Sequence, residues 1–137
     1  MATTTQATAE DTVQTILTVD DDPQIRRLID RALRAEGYTT RTCISAESAL
    51  VALREGGRYS LVLLDVMMGG ETGFELARRI RNGEAGDDNR ALPIVFVTAE
   101  NDGDSYEQSF DVGAHRYITK PFAADALVEV VQSMLHE

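Results

Sequence analysis

Carboxylates stand at the ends of two apolar runs in this sequence. Asp20, Asp21 and Asp22 directly follow the first run, and Asp65 directly follows the second. If both runs are neighbouring parallel strands, these acids meet at the carboxyl edge of the sheet, where α/β folds bind their ligands. Two carboxylates about 4 Å apart repel by roughly 1 to 4 kcal/mol at a surface-like dielectric, so such a cluster favours a bound cation. Hard oxygen ligands suit Mg2+, and the pattern therefore indicates metal-assisted phosphoryl chemistry.

A hydroxyl and an ammonium group stand at two further run ends. Thr98 ends an apolar run, and Lys120, the single lysine among thirteen basic residues, ends another before Pro121. A carboxylate can attack phosphorus, while a hydroxyl and an ammonium hold the remaining phosphoryl oxygens. Each residue also has a purely structural interpretation, since Asp20 and Asp21 alone could form a turn with a helix cap. Together the four run ends favour acyl-phosphate formation.

The composition narrows the choice of partners. The net charge of -10 and the pI near 4.6 argue against nucleic acid or an anionic membrane as a direct partner, because binding phosphate groups requires a basic surface. Cys43 is the only cysteine, so no disulfide framework exists and a reducing compartment is expected. The apolar runs are far too short to span a bilayer, and the first residues lack signal-peptide character. We expect a cytoplasmic protein.

Short apolar runs alternate with helical patterns along most of the chain. Residues 1–13 are expected to form a mobile tail, and residues 14–137 one domain. Strands are predicted at about 15–20, 38–43, 61–64, 94–97 and 116–119. Helices are predicted from Pro23 to Gly37, from Ser45 to Gly56, from Thr72 to about 81, over 104–112 and after Pro121. Strict alternation predicts a five-stranded, doubly wound parallel sheet of the α/β class.

The acids, Thr98 and Lys120, in this order and in these surroundings, resemble the receiver domain of two-component response regulators over about residues 14–136. The resemblance implies a flavodoxin-like fold with strand order 2-1-3-4-5, the order known for the chemotaxis response regulator. It implies a switch that accepts a phosphoryl group from a histidine kinase or histidine phosphotransfer protein and signals through a downstream protein partner. A monomer or a weak phosphorylation-dependent dimer is expected, as a single-domain regulator or an excised receiver.

The resemblance also implies a role for each site residue. Asp65 is the phosphoacceptor, and no enzymatic activity is expected beyond Mg2+-dependent self-phosphorylation and autodephosphorylation. The implied Mg2+ ligands are Asp20, Asp21, Asp65 and the backbone carbonyl of Met67. Thr98 binds the phosphoryl group and moves with it, Lys120 pairs with it, and the rotamer of Tyr117 reports activation. In this family the Lys120–Pro121 peptide bond is cis.

Two features depart from the usual receiver pattern. Gly69 stands where most receivers have proline, which frees the loop that carries the Met67 carbonyl. The last two predicted helices are acidic, and no Lys or Arg follows Lys120, so the dimer typical of winged-helix regulators is not expected. The first helix instead carries a basic strip, formed by Arg26, Arg27, Arg31 and Arg34. These arginines either dock the kinase or pair with Asp30 and Glu36.

Two other functions share parts of the pattern. A haloacid-dehalogenase-type phosphatase places its acids as Asp-x-Asp, which Asp20 and Asp22 match, but Pro23 occupies the usual Thr or Val position and no late acidic pair follows. A flavin-binding module needs a phosphate-cradling loop after the first strand, and the acids here would repel that phosphate. Asp22 is expected to cap the first helix.

Overall fold

The computed structural model describes residues 14–99 and 111–135, which form a parallel sheet with helices on both faces. The strands are β1 (Thr15–Val19), β2 (Thr39–Cys43), β3 (Leu61–Leu64), β4 (Ile94–Thr98) and β5 (Arg116–Thr119). The helices are α1 (Pro23–Ala35), α2 (Ala46–Arg54), α3 (Gly73–Arg81) and α4 (Ala124–Leu135). The strands are all parallel and lie in the order β2-β1-β3-β4-β5, which confirms the predicted fold.

Burial of the strands follows their place in the sheet. Every residue of β3 and β4 is buried, as expected for strands covered by helices on both faces. The edge strand β2 instead has both buried and exposed positions and contains threonine and arginine. The central position of β3 matters for the site, because the residue after it emerges between two neighbouring strands.

The sheet separates two apolar cores. One core lies under α2 and α3 and includes Phe74 and Phe96, whose rings meet edge to face with centroids 4.9 Å apart. The other lies under α1 and α4 and includes Leu33 and Leu127. Within the described ranges, no helix is long and apolar enough to cross a membrane.

Side-chain caps fix the starts of three helices close to the carboxyl edge of the sheet. Asp22 caps α1 by accepting a hydrogen bond from the Gln24 amide, as predicted. Reciprocal capping boxes, Ser45 with Ser48 and Thr72 with Glu75, begin α2 and α3. These caps satisfy amide groups that would otherwise lack partners.

Several predicted boundaries differ from the observed ones by one or two residues. The first helix ends at Ala35 rather than at Gly37, because Gly37 has a left-handed φ of 92° and lies beyond the last helical turn. The fourth strand continues one residue further, to Thr98, and the predicted loop before it contains a 3-10 turn, Asp87–Asn89. The predicted tail, and the helix predicted at 104–112 except its last two residues, lie outside the described residues.

Candidate functional site

The register of the strands brings the acids together. Val19 at the end of β1 pairs with Leu64 at the end of β3, and the Asp65 amide donates to the Val19 carbonyl at 2.9 Å. Asp20 and Asp65 therefore leave adjacent strands at the same level. One carboxylate oxygen from each of Asp20, Asp21 and Asp65 lies within 4.8 Å of the others. The sequence prediction that these acids converge is confirmed.

Asp20 is held from three sides. The residue is 1 % exposed, its Oδ1 accepts from the Asp22 amide at 2.9 Å, and its Oδ2 lies 2.8 Å from Lys120 Nζ. Its backbone carbonyl accepts from Arg26 Nη1 at 2.8 Å. Arg26 was predicted as part of a basic surface strip, and its support of the Asp20 backbone was missed, because a helical pattern does not show which arginine folds back toward the sheet edge.

Lys120 lies between two of the acids. Its Nζ is 2.8 Å from Asp20 Oδ2 and 3.4 Å from Asp65 Oδ2, and its side chain is 17 % exposed. Burial lowers the pKa of Lys120, but its hydrogen bond to Asp20 and the two negative charges outweigh burial and raise the pKa overall. The ammonium thus stays charged at neutral pH. The Lys120–Pro121 peptide bond is cis, as the resemblance implied.

Asp65 has a perturbed carboxyl group. Burial, and then the charge of Asp20, raise the pKa of Asp65 to about 6, while Lys120 and a hydrogen bond from the Met67 backbone act in the opposite direction. The residue is 4 % exposed. Because the pKa is still below 7, the group remains mainly ionised at neutral pH, and an ionised carboxylate is the form that attacks phosphorus.

Thr98 lies on β4, the strand beside β3, and Tyr117 lies on β5, the next strand in the sheet. Thr98 ends β4 and is fully buried, and its carbonyl accepts from the Lys120 amide at 2.8 Å. Tyr117 on β5 pairs in register with Phe96 and packs against the core under α2 and α3. Since Thr98 follows Phe96 by two positions, the threonine and the tyrosine belong to the same face of the sheet.

Gly73 at the start of α3 is a site residue that sequence reasoning missed. A Cβ atom at this position would lie 2.2 Å from the Asp65 carbonyl oxygen, and the Gly73 amide donates to the Val66 carbonyl at 2.8 Å. The helix therefore starts directly against the backbone of Asp65. The Thr72–Glu75 capping box marks the helix start in the sequence, but no local signal shows which strand end it touches.

The loop between β3 and α3 is held around its glycines. The Gly69 amide donates to Asp21 Oδ2 at 3.3 Å, and Glu71 forms an ion pair with Arg79 at 2.7 Å. A Cβ atom on Gly69 would meet nothing within 4 Å, whereas Gly70 has a φ of 151°. Gly70 is thus the position where the backbone conformation favours glycine. Met67, which is 61 % exposed, lies two residues before Gly69.

The donor atoms at this edge suit a divalent cation. Apart from its ion pair with Lys120, the buried Asp20 Oδ2 has no hydrogen-bond partner in the part of the chain that is described. An all-oxygen set of carboxylates fits the preference of Mg2+. Asp22 is not a member of this cluster, because its carboxylate caps α1. That contact does not favour the phosphatase alternative, which requires Asp22 as an acid in the reaction.

Comparison with known families agrees with the fold and the acid cluster. Residues 16–132 match the response regulator receiver domain. The chain therefore belongs to the receiver domain family of two-component systems, whose members are phosphorylated by histidine kinases.

Curated relatives are response regulators. The chain is 40 % identical over 124 residues to the phosphate regulon transcriptional regulatory protein PhoB of Pseudomonas aeruginosa, covering 89 % of this chain and 52 % of the relative. It is 38 % identical over 122 residues to the DNA-binding response regulator MtrA of Mycolicibacterium smegmatis, covering 89 % and 50 %. The chain thus spans about half the length of these relatives.

Solved structures show the same fold. The chemotaxis protein CheY4 of Vibrio cholerae superposes with a TM-score of 0.81 at 27 % identity, covering 89 % of this chain and 98 % of that one. The receiver domain of the sensor histidine kinase PA1611 from Pseudomonas aeruginosa gives a TM-score of 0.80 at 27 % identity, covering 91 % and 99 %. The second structure is described as having a magnesium ion coordinated in its active site cleft.

Proposed function

We propose that this receiver is phosphorylated on Asp65 in a Mg2+-dependent reaction and acts as the switch of a phosphorelay. The observation that carries the proposal is the position of Asp65. It follows the central strand, its carboxylate clusters with those of Asp20 and Asp21, and Lys120 Nζ lies 3.4 Å away. A nucleophile, a cation site and a fixed positive charge are the groups that phosphoryl transfer to a carboxylate requires.

In the proposed reaction an Asp65 carboxylate oxygen attacks the phosphorus of a phosphohistidine. The new O–P bond forms as the P–N bond breaks, and the bonding electron pair returns to the imidazole nitrogen of the donor. Lys120 and the Thr98 hydroxyl bind phosphoryl oxygens, and loss of the phosphoryl group to water resets the switch. Asp20, Asp21, Asp65 and the Met67 carbonyl would hold Mg2+, which would supply neutralisation of charge on the transferring group. The magnesium ion described in the active site cleft of the PA1611 receiver supports Mg2+ as the cation.

We further propose that the phosphodonor and the downstream protein bind different surfaces of the domain. Arg27 and Arg31 on α1 are exposed, and in the part of the chain that is described neither makes an ion pair, whereas Arg34 pairs with Asp30 at 2.9 Å. The free arginines support docking of the histidine kinase or phosphotransfer protein beside the acids. A downstream protein binds on the side of the domain opposite α1 and responds to the state of Thr98 and Tyr117. The net charge of -10 supports a domain that does not itself bind nucleic acid, and the single cysteine supports a location in the reducing cytoplasm.

Incubation with acetyl phosphate and Mg2+, followed by intact-mass measurement, tests the phosphoacceptor. The wild type should gain one acid-labile phosphoryl group, and chelation of Mg2+ should prevent the gain. Asp65→Asn should not be modified, while the control Asp88→Asn, an exposed acid in the 3-10 turn after α3, should behave as wild type. Equal modification of Asp65→Asn would place the nucleophile elsewhere.

A further inference from the structure

We propose that the backbone N–H of Gly69 is a positioning donor for Asp21, so that Mg2+ binding and the order of the β3–α3 loop are coupled. The inference rests on the proposed metal site and adds a residue to it. Gly69 itself does not touch the cation. It acts through the carboxylate of Asp21, which it holds by a hydrogen bond of 3.3 Å to Oδ2.

Asp21 is the member of the acid cluster with the greatest freedom. Asp20 and Asp65 are buried, whereas Asp21 is exposed. Within residues 14–99 and 111–135, the contact with Gly69 is the one hydrogen bond or ion pair of the Asp21 carboxylate. Because the amide uses Oδ2, the second oxygen stays available to a cation. The hydrogen bond thus orients a ligand that would otherwise rotate in solvent.

The donor is itself fixed in place by its neighbours. On one side the Met68 side chain is buried in the core under α2 and α3. On the other side Glu71 is tied to Arg79 at 2.7 Å, and Arg79 also pairs with Glu84 at 2.9 Å. Gly69 therefore lies on a short exposed segment between two anchored points, which limit the directions that its amide can take.

Coupling of this kind acts in both directions. If the loop increases the affinity of Asp21 for the cation, the cation must stabilise the loop conformation by the same free energy. Hydrogen-bond partners of metal ligands generally matter for metal affinity because they fix ligand orientation. The same loop carries Met67, so an ordered Gly69 also reduces the motion of the Met67 carbonyl.

Two variants at one position separate the amide from the side chain. Gly69→Ala keeps the N–H, and its Cβ has open space; Gly69→Pro removes the N–H. Calorimetric titration with MgCl2 should show Gly69→Pro binding Mg2+ about 3- to 10-fold more weakly than Gly69→Ala. The expected loss lies at the low end of the affinity losses seen when hydrogen-bond partners of metal ligands are removed, because this hydrogen bond is exposed. Equal or tighter binding by Gly69→Pro would overturn the inference.

A second measurement avoids the restriction that proline places on the Met68 backbone. Water-exchange NMR on the wild type should show the Gly69 amide exchanging about threefold or more slowly with Mg2+ than without it. In metal-free protein, Asp21→Ala should speed exchange of the same amide. Unchanged exchange in both experiments would overturn the coupling while leaving the metal site intact. Failure of the wild type to bind Mg2+ would overturn the coupling together with the proposed metal site, and calorimetry distinguishes that case.

Discussion

Asp65 meets two opposing requirements, since the side chain is buried beside another acid and yet, as the proposed nucleophile, must be ionised. Burial and Asp20 raise its pKa to about 6, whereas Lys120 limits the rise. The structure therefore keeps the nucleophile ionised at neutral pH at some cost to the metal-free fold. That cost has a measurable pH dependence.

We expect the stability contribution of Asp65 to fall as pH rises in metal-free protein. The folded pKa of about 6 lies above the ordinary pKa of 3.8 for an aspartate, so the folded state binds the proton more tightly, and the contribution is lost between about pH 4 and pH 6. Asp65→Asn, which stays neutral, should therefore be more stable than wild type at pH 7 by about 1 to 3 kcal/mol. At pH 4 the difference should be small. Denaturant unfolding at both pH values measures it, and a constant difference would contradict the raised pKa.

Lys120 has a separate prediction. Its ammonium lies 2.8 Å from Asp20 and 3.4 Å from Asp65, so Lys120→Met removes the positive charge that limits repulsion between the two acids. The pKa of Asp65 should then rise above 6, as measured by NMR titration of the metal-free side-chain carboxyl. Arg78→Gln, an exposed change on α3, is the control and should not move the midpoint. An unmoved midpoint in Lys120→Met would show that Lys120 does not set the charge state of Asp65.

At the scale of elements, α3 begins in direct contact with the Asp65 backbone. In Gly73→Ala the new methyl group would lie 2.2 Å from the Asp65 carbonyl oxygen, so the helix or the Asp65 backbone must shift. We expect a loss of about 1 to 3 kcal/mol in the free energy of unfolding, as for other overpacked sites. We also expect slower phosphorylation by acetyl phosphate.

The matched control for Gly73→Ala lies in the preceding loop. Gly69→Ala puts its methyl group into open space, and its free energy of unfolding should stay within about 0.5 kcal/mol of wild type. Chemical denaturation of both variants measures the contrast. A Gly73→Ala variant as stable as Gly69→Ala would show that the α3 start adjusts without strain.

The sequence pattern was sufficient for the parallel sheet and the convergence of the acids, whereas the strand order was implied by the resemblance to receiver domains. Apolar runs such as 61–64 mark buried strands, and parallel strands bring the residues after them to one edge. The contacts of Gly73 and Arg81 were not predictable in this way. Arg81 follows the pattern of a solvated helix residue, yet its guanidinium donates to the carbonyls of Arg90, Leu92, Val112 and Gly113. Contacts between positions this far apart depend on packing of whole elements, which periodicity does not record.

At the scale of the molecule, the arginines of α1 beside the site differ in whether they have partners within the domain. Arg27 and Arg31 are exposed on α1, whereas Arg26 supports the Asp20 carbonyl and Arg34 pairs with Asp30. The alternative that the strip consists of paired, solvated charges thus holds for Arg34. Glu36 instead accepts a hydrogen bond from Gln132.

We expect a double variant, Arg27→Glu with Arg31→Glu, to slow phosphotransfer from a histidine kinase that phosphorylates the wild type. The loss should be larger at low salt, because screening weakens attraction between exposed charges. Phosphorylation by acetyl phosphate should be unaffected. Arg58→Glu with Arg78→Glu makes the same charge change at exposed positions away from α1, and should transfer at nearly the wild-type rate. Equal loss with both donors in the α1 variant would indicate damage to the fold instead of a docking role.

The presence of a single lysine also makes the site chemically addressable. Reagents that acylate amines can modify one side-chain nitrogen in this chain, Lys120 Nζ, in addition to the amino terminus. That nitrogen is largely shielded and paired with two acids, so its acylation should be slow and sensitive to whatever occupies the space beside it. The extent of labelling under fixed conditions, read from a single peptide, therefore serves as a footprint of the occupied site without any isotope or substitution.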